Sequence, residues 1–176
     1  TENLALFNDL IMMPCYKWNR SIVVPEEHPL TREKKITLEL LGQYPIVTYV
    51  FWATGQSKLE ETFKRIDVTP NLVFTATDAD VIKSYVKLGL GVGIVAGMAF
   101  DAQADEGLVS MDASHLFESS ITHIGFRRGT FLRQYMLDFI EKFAPHLDRW
   151  RVKEAVALAT GKERSEYFKD LELPVR

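Results

Sequence analysis

Short apolar runs alternate with amphipathic stretches along this chain, at a spacing that predicts strand followed by helix several times over. Residues 10–13 and 21–24 read as short strands, separated by a polar, aromatic segment from Cys15 to Arg20. Pro25 and the pair His28-Pro29 close the second strand. Thr37 opens a short helix that runs through Leu41 and stops at Gly42. Pro45 then introduces residues 46–51, a β-branched and aromatic run that reads as a strand. Ser57 to Glu60 fits a capping box, in which the serine oxygen serves an N–H of the first turn while the glutamate reaches back. The helix it opens carries Leu59, Phe63 and Ile66 and breaks before Pro70; residues 72–76 form the next strand.

Residues 77–96 are the most informative stretch. Thr77 or Asp78 can cap a helix whose apolar face is Val81, Ile82, Tyr85, Val86 and Leu88, with Asp80 favourable at the positive end of the dipole. Gly89, Gly91 and Gly93 follow, and the chain runs straight into a buried strand. Residues 108–111 and 121–126 are further strands. From Phe131 the pattern is helical, with Leu132, Tyr135, Met136, Phe139, Ile140 and Phe143 on one face. A last helix is expected over residues 152–158, followed by a charged tail containing Tyr167, Phe168 and Leu171.

Strands and helices alternating in this way imply βαβ units, an α/β fold and a largely parallel sheet. Residues 14–18 and 117–124 are the candidate crossings between two lobes. One lobe is then 17–119, and the other combines 1–16 with 120–176. That second lobe holds too little sheet to cover its helices, so the missing strands are expected upstream of Thr1.

Composition narrows the function classes. The chain has 176 residues, 47% of them apolar and 26% charged, which is a globular balance with material for a core. A net charge of −3 gives no electrostatic footprint for nucleic acid and no basic patch for a membrane surface. No apolar run approaches the about 20 residues needed to span a bilayer. The single cysteine, Cys15, cannot form an internal disulfide and fits a reducing compartment, so a cytoplasmic location is expected.

Candidate chemistry is sparse. Gly91-Val92-Gly93-Ile94-Val95-Ala96 matches the dinucleotide pattern G-x-G-x-x-A, but that pattern must follow a strand and open a helix, and here the order is reversed. His28, His115, His123 and His146 are scattered without paired spacing, so no metal site is expected. Nothing argues for a catalytic group. Arg127, Arg128 and Arg133 form a local basic cluster, read as a solvated face. Thr54-Gly55-Gln56-Ser57 joins a strand end to a helix start, where unpaired N–H groups and the dipole favour an anion. A simple capped loop is the alternative reading. Trp18, beside Tyr16 and Asn19, lies on a crossing strand and can face a cleft, with core packing as its alternative.

The helix–LGLGVGI–strand unit resembles the effector-binding domain of LysR-type transcriptional regulators. The runs PCY-x-WNRSIVV (14–24), VFTATDADVI (73–82), IGFRR (124–128) and FAPHL (143–147) resemble the cysteine-regulon activators within that family. The resemblance implies a two-lobe effector domain of the type II periplasmic-binding-protein kind, with its first lobe incomplete at the N-terminus here. DNA contact would lie in a winged helix-turn-helix outside this chain. It implies a small-molecule effector, N-acetylserine or O-acetylserine, or sulfate, in the cleft between lobes. It points to Thr1, Trp18 and Thr54 as ligand contacts; with Gly55 of the same loop and Tyr49 they make up the expected ligand-binding set. It further implies self-association through effector domains, a tetramer in the full protein, no cofactor, no enzyme activity and no membrane contact. A free-standing solute-binding protein for sulfate or an amino acid is the alternative function.

Overall fold

The computed structural model describes residues 9–50 and 58–176. The chain divides into two compact units, Trp18–Ser119 and a second one made of Ser120–Arg176 with the N-terminal segment that ends at Lys17.

The first unit is a five-stranded sheet covered on both faces. Its strands are β2 (Arg20–Pro25), β3 (Pro45–Tyr49), β4 (Asn71–Ala76), β5 (Val92–Ala96) and β6 (Leu108–Asp112), in the order β4-β3-β5-β2-β6. The preceding strand β1 (Leu10–Trp18) runs into β2 with only Asn19 between them. Helices α1 (Leu38–Leu41), α2 (Lys58–Lys64) and α3 (Ala79–Lys87) complete the unit. Alternation sorts the side chains: Ile22, Val24, Ile46, Val92 and Ile94 pack with Leu30, Leu41, Leu59 and Phe63, while Val23, Val47 and Val95 pack with Ile82 and Val86 of α3. A sheet covered on both faces needs both alternating sets apolar, hence the continuous runs IVV and IV.

The sheet is mixed rather than largely parallel. Strand β3 runs parallel to β4 and β5, but β2 is antiparallel to both β5 and β6. The cause is that β2 is the continuation of β1 and enters from the crossing, not through a helix, so no βαβ crossover sets its direction. The strand expected over 46–51 ends at Tyr49. Residues 10–13 prove to be the start of β1, which continues without a break to Trp18.

Asp78 is the residue that caps α3, its carboxylate accepting from the N–H groups of Asp80 at 2.8 Å and Val81 at 3.4 Å. Gly89 ends the helix at a φ of +80°, which favours glycine. A Cβ at Gly91 would collide with the Pro45 carbonyl, so the tight step into β5 excludes any side chain there.

In the second unit β1 pairs with β7 (Ser120–Arg127), and helices α4 (Gln134–Phe143), α5 (Arg149–Ala157) and α6 (Gly161–Tyr167) pack around Met13, Cys15, Ile140, Leu147, Val152, Ala155 and Phe168. Two expectations change here. The face of α4 that packs carries Leu137, Ile140 and Phe143 and leads into Ala144, whereas Tyr135 and Phe139 are exposed. The charged tail contains a helix, α6, opened by a capping box in which Glu163 N–H donates to Thr160 Oγ1 and Thr160 N–H donates to Glu163. Its signal, threonine followed three residues later by glutamate, was present, but no apolar period accompanied it. Beyond α6, Lys17 N–H donates to Pro174 O at 2.8 Å and Arg176 N–H to Lys17 O at 2.9 Å, which pins the last residues along β1. Among the described residues no helix is long and apolar enough to cross a membrane.

Replacing Gly91 by alanine is expected to destabilise the protein by more than about 1 kcal/mol, since the backbone at Pro45 must move. Urea unfolding checks this. The His28 imidazole accepts the Leu30 N–H at 3.2 Å, and burial pushes its pKa below the ordinary 6.5. The folded state therefore disfavours the proton that the unfolded chain takes up below pH about 6.5, so this contribution is full above that pH and is lost as pH falls. His28→Asn, which keeps an acceptor and does not titrate, is expected to show a shallower stability loss in urea unfolding between pH about 7 and 5.

Candidate functional site

The antiparallel entry of β2 brings its N-terminal end to the edge where the parallel strands β3, β4 and β5 finish. The carboxyl ends of parallel strands are where α/β sheets bind ligands. Register fixes the row: Arg20 lies opposite Ala96, and Tyr49 opposite Ala76.

Tyr49 leaves β3 on the face covered by α3 and is partly buried there. Its hydroxyl oxygen accepts the Ala96 N–H at 3.2 Å. A phenol that accepts from the backbone keeps its own hydrogen for donation. Burial, its largest influence, raises its pKa above the usual 10; the Ala96 bond, Arg20 and Lys83 work against this and Asp78 with it. The group is a neutral donor at physiological pH. Beside it Thr48 is buried and donates to Ile94 O at 2.8 Å, tying β3 to β5 just before the strands end.

Trp18 is half-buried at the opposite end of this row, with the Arg20 guanidinium 5.3 Å from its ring centroid. That arrangement is a cation–π contact. Arg20 also donates to Glu118 O at 3.2 Å, Ser119 Oγ donates to Asn19 Oδ1 at 2.6 Å, and Gly97 N–H donates to Asn19 O at 2.8 Å. The two crossing segments are thus stitched together at the strand ends. Arg20 was not among the expected site residues. The available signal was its two-residue spacing from Trp18, which places both on one face of an extended chain.

The turn after β5 is held by an ion cluster in which Lys83 is buried, the Asp105 side chain is 11% exposed and Asp80 is exposed. The Lys83 ammonium, only 7% exposed as a residue, bonds Asp105 Oδ2 at 2.8 Å, Asp80 Oδ1 at 2.9 Å and Ala99 O at 2.8 Å. Burial alone would push this ammonium down, but the bonds to Asp105 and Asp80 outweigh it and hold the pKa above its usual value. Asp105 moves oppositely: burial pushes its carboxyl up, and Lys83 and the Asp101 N–H bring it below the ordinary range. The cluster fixes Gly97–Ala99 relative to α3.

Of the expected ligand-binding residues, Trp18 and Tyr49 lie on this one edge of the first unit. Thr1, Thr54 and Gly55 lie outside the described residues. The glycines of the G-x-G-x-x-A pattern lead into β5, as their order after a helix implied.

The family profile described as LysR substrate binding domain matches residues 2–148. The chain is 52% identical over all 176 residues to the HTH-type transcriptional regulator CysB of Haemophilus influenzae, covering 54% of that protein. It is 49% identical to the HTH-type transcriptional regulator SsuR of Burkholderia cenocepacia over 84% of this chain and 48% of that one. Among solved structures, the cofactor-binding domain of the Cbl transcriptional regulator superposes with a TM-score of 0.80 at 36% identity, over 87% of this chain and 67% of that one. The chain belongs to the LysR substrate-binding domain family, whose members have the type II periplasmic-binding-protein-like α/β fold and whose homologues here are transcriptional regulators rather than enzymes. It spans about half the length of the curated relatives it matches.

Lys83→Met is expected to destabilise the protein by about 3 kcal/mol, because it strands Asp105 in a site that excludes most solvent. The double variant Lys83→Met/Asp105→Asn is expected to recover part of that loss. Urea unfolding of both variants measures the coupling.

Proposed function

We propose that this chain is the effector-sensing part of a LysR-type transcriptional activator of sulfur assimilation and cysteine synthesis, acting in the cytoplasm. Its effector is a small anion-bearing molecule, acetylserine (N- or O-acetylated) or sulfate. Trp18, Tyr49, Thr54, Gly55 and Thr1 contact it, and no cofactor takes part. DNA is bound by a separate helix-turn-helix segment of the full protein.

The observation that carries this reading is the Tyr49–Ala96 bond. It fixes a neutral O–H donor at the finishing edge of β3 and β5, on the row that also carries Trp18. A carboxylate or sulfate can be held by such neutral donors and a helix-start loop without a full counter-charge. The likeness to CysB and SsuR supports a regulator over a free-standing solute-binding protein. Effector binding biases one of two domain geometries by its differential affinity for them, and that bias changes how the full protein presents its DNA-binding segments.

Assembly belongs to the same proposal. The exposed side of α3 carries Val81 and Tyr85, with Leu88 just beyond its end and Val73 on the adjacent edge strand β4. Symmetric pairing through this face would be isologous and is read as one step toward a tetramer.

Calorimetry on the full protein is expected to detect binding of acetylserine or sulfate. Tyr49→Phe and Thr54→Ala are each expected to weaken it about tenfold to a hundredfold, the loss of one hydrogen bond to a charged group. No binding of either compound overturns the effector assignment. An unchanged dissociation constant in a variant removes that residue from the site. Failure of the full protein to bind promoter DNA favours the solute-binding alternative.

A further inference from the structure

Arg20 opens β2 with contacts that a solvated edge residue does not need. Along this strand Ile22 and Val24 pack into the core beside Leu30 and Phe63, so alternation places Arg20 on the same face, one step past the apolar layer. A long cation at the rim of such a layer normally lays its stem on it and sends its charge to water. Here the guanidinium turns back along the chain instead. It lies 5.3 Å from the ring centroid of Trp18, and its Nη1 donates to Glu118 O at 3.2 Å.

The base of the side chain is held as firmly as its tip. Asn19 O accepts the Gly97 N–H at 2.8 Å, and Arg20 O accepts the Ala113 N–H at 3.1 Å. Asn19 Oδ1 accepts from Ser119 Oγ at 2.6 Å. Register sets Arg20 opposite Ala96, the residue whose N–H the Tyr49 hydroxyl accepts. Trp18, Arg20, Tyr49 and Glu118 all belong to the first unit, so the arrangement is complete within it. A planar cation anchored at both ends and lying over an indole restricts the rotation of that ring. Trp18 is half-buried, so the ring keeps surface that the guanidinium does not cover.

We propose that Arg20 is a positioning residue for the effector, holding the Trp18 indole in the orientation that a ligand at the ends of β3 and β5 meets. The inference rests on the proposed contact between Trp18 and the effector, and adds a residue that acts through the ring rather than on the ligand. Without the guanidinium the indole samples other rotamers. Binding must then order it, and the entropy lost appears as weaker affinity.

Calorimetry on the full protein tests this, with acetylserine and sulfate each titrated and the tighter binder used as the probe. Arg20→Gln keeps an N–H for Glu118 O but no cation for the ring, and is expected to weaken binding about threefold to tenfold. Arg20→Lys restores a cation without the planar fork and is expected to fall between Arg20→Gln and the wild type. Trp18→Phe keeps an aromatic ring that is a poorer cation partner, so the loss on Arg20→Gln is expected to shrink in that background. The backbone bonds of Asn19 and Arg20 do not depend on the Arg20 side chain, so the Arg20 variants keep the fold. The inference is overturned by wild-type affinity in Arg20→Gln, by Arg20→Lys binding no tighter than Arg20→Gln, or by an equal loss in both backgrounds. The order of the single variants decides the matter if Trp18→Phe leaves too little binding to measure. A wild type that binds neither compound overturns the effector reading and this inference with it, whereas a wild type that binds beside an unaffected Arg20→Gln overturns this inference alone.

Discussion

The architecture of the first unit depends on the antiparallel insertion of β2 between β5 and β6. A strand buried on both faces and bonded on both edges, carrying Ile22, Val23 and Val24 at zero exposure, has few alternatives in register or direction. Slipping it by one residue would exchange the two apolar sets it presents to α3 and to the opposite layer. Because its direction opposes β3 and β5, its first residues must appear where those strands end. The chain's entry into β2 and the edge where β3 and β5 finish are therefore the same place, and Trp18 and Arg20 are delivered there by connectivity alone.

That edge is then held by polar contacts of a kind the core cannot supply. Hydrophobic packing sets the distance between layers but not the orientation of a strand end. The Thr48–Ile94 and Tyr49–Ala96 bonds and the Lys83 cluster do that, each tying a β3 or α3 side chain to the backbone of β5 or the turn after it. A buried ammonium with two carboxylates adds little net stability over an apolar replacement, but it is costly to break, and such a contact enforces one geometry of the Gly97–Ala99 turn. A preset edge spends less of the ligand's binding energy on ordering the protein.

The second unit is built by a different logic. Its strands β1 and β7 supply the sheet, and its helices pack Ile140, Val152, Ala155 and Phe168 against Met13 and Cys15. The cysteine is buried and its thiol pKa is raised, mainly by that burial, so it behaves as a small apolar residue rather than a nucleophile. Arg164 departs from this apolar pattern: it is buried, and its Nη1 donates to Leu158 O at 2.7 Å, which ties α6 to the end of α5.

Much of this was legible in the sequence because the signals were local. The capped α3, the stop at Gly89, the β-branched runs of β2, β3 and β5, and the order helix–glycines–strand are each set by neighbours within a few residues. They suffice to define an α/β domain and to reject the dinucleotide reading. Resemblance in short runs such as WNRSIVV carried the family. The direction of β2 was not legible, because β2 continues from β1 and no helical crossover in the sequence sets its direction. The same holds for the packed face of α4, where Leu137 rather than Tyr135 turns inward, and for α6, whose cap was written in Thr160 and Glu163 without an apolar period to announce a helix. The Tyr49–Ala96 bond and the Lys83–Asp105 pair join residues 47 and 22 positions apart. Sequence determines which groups are available, but only the folded chain brings distant ones within reach and removes the water that would otherwise screen them.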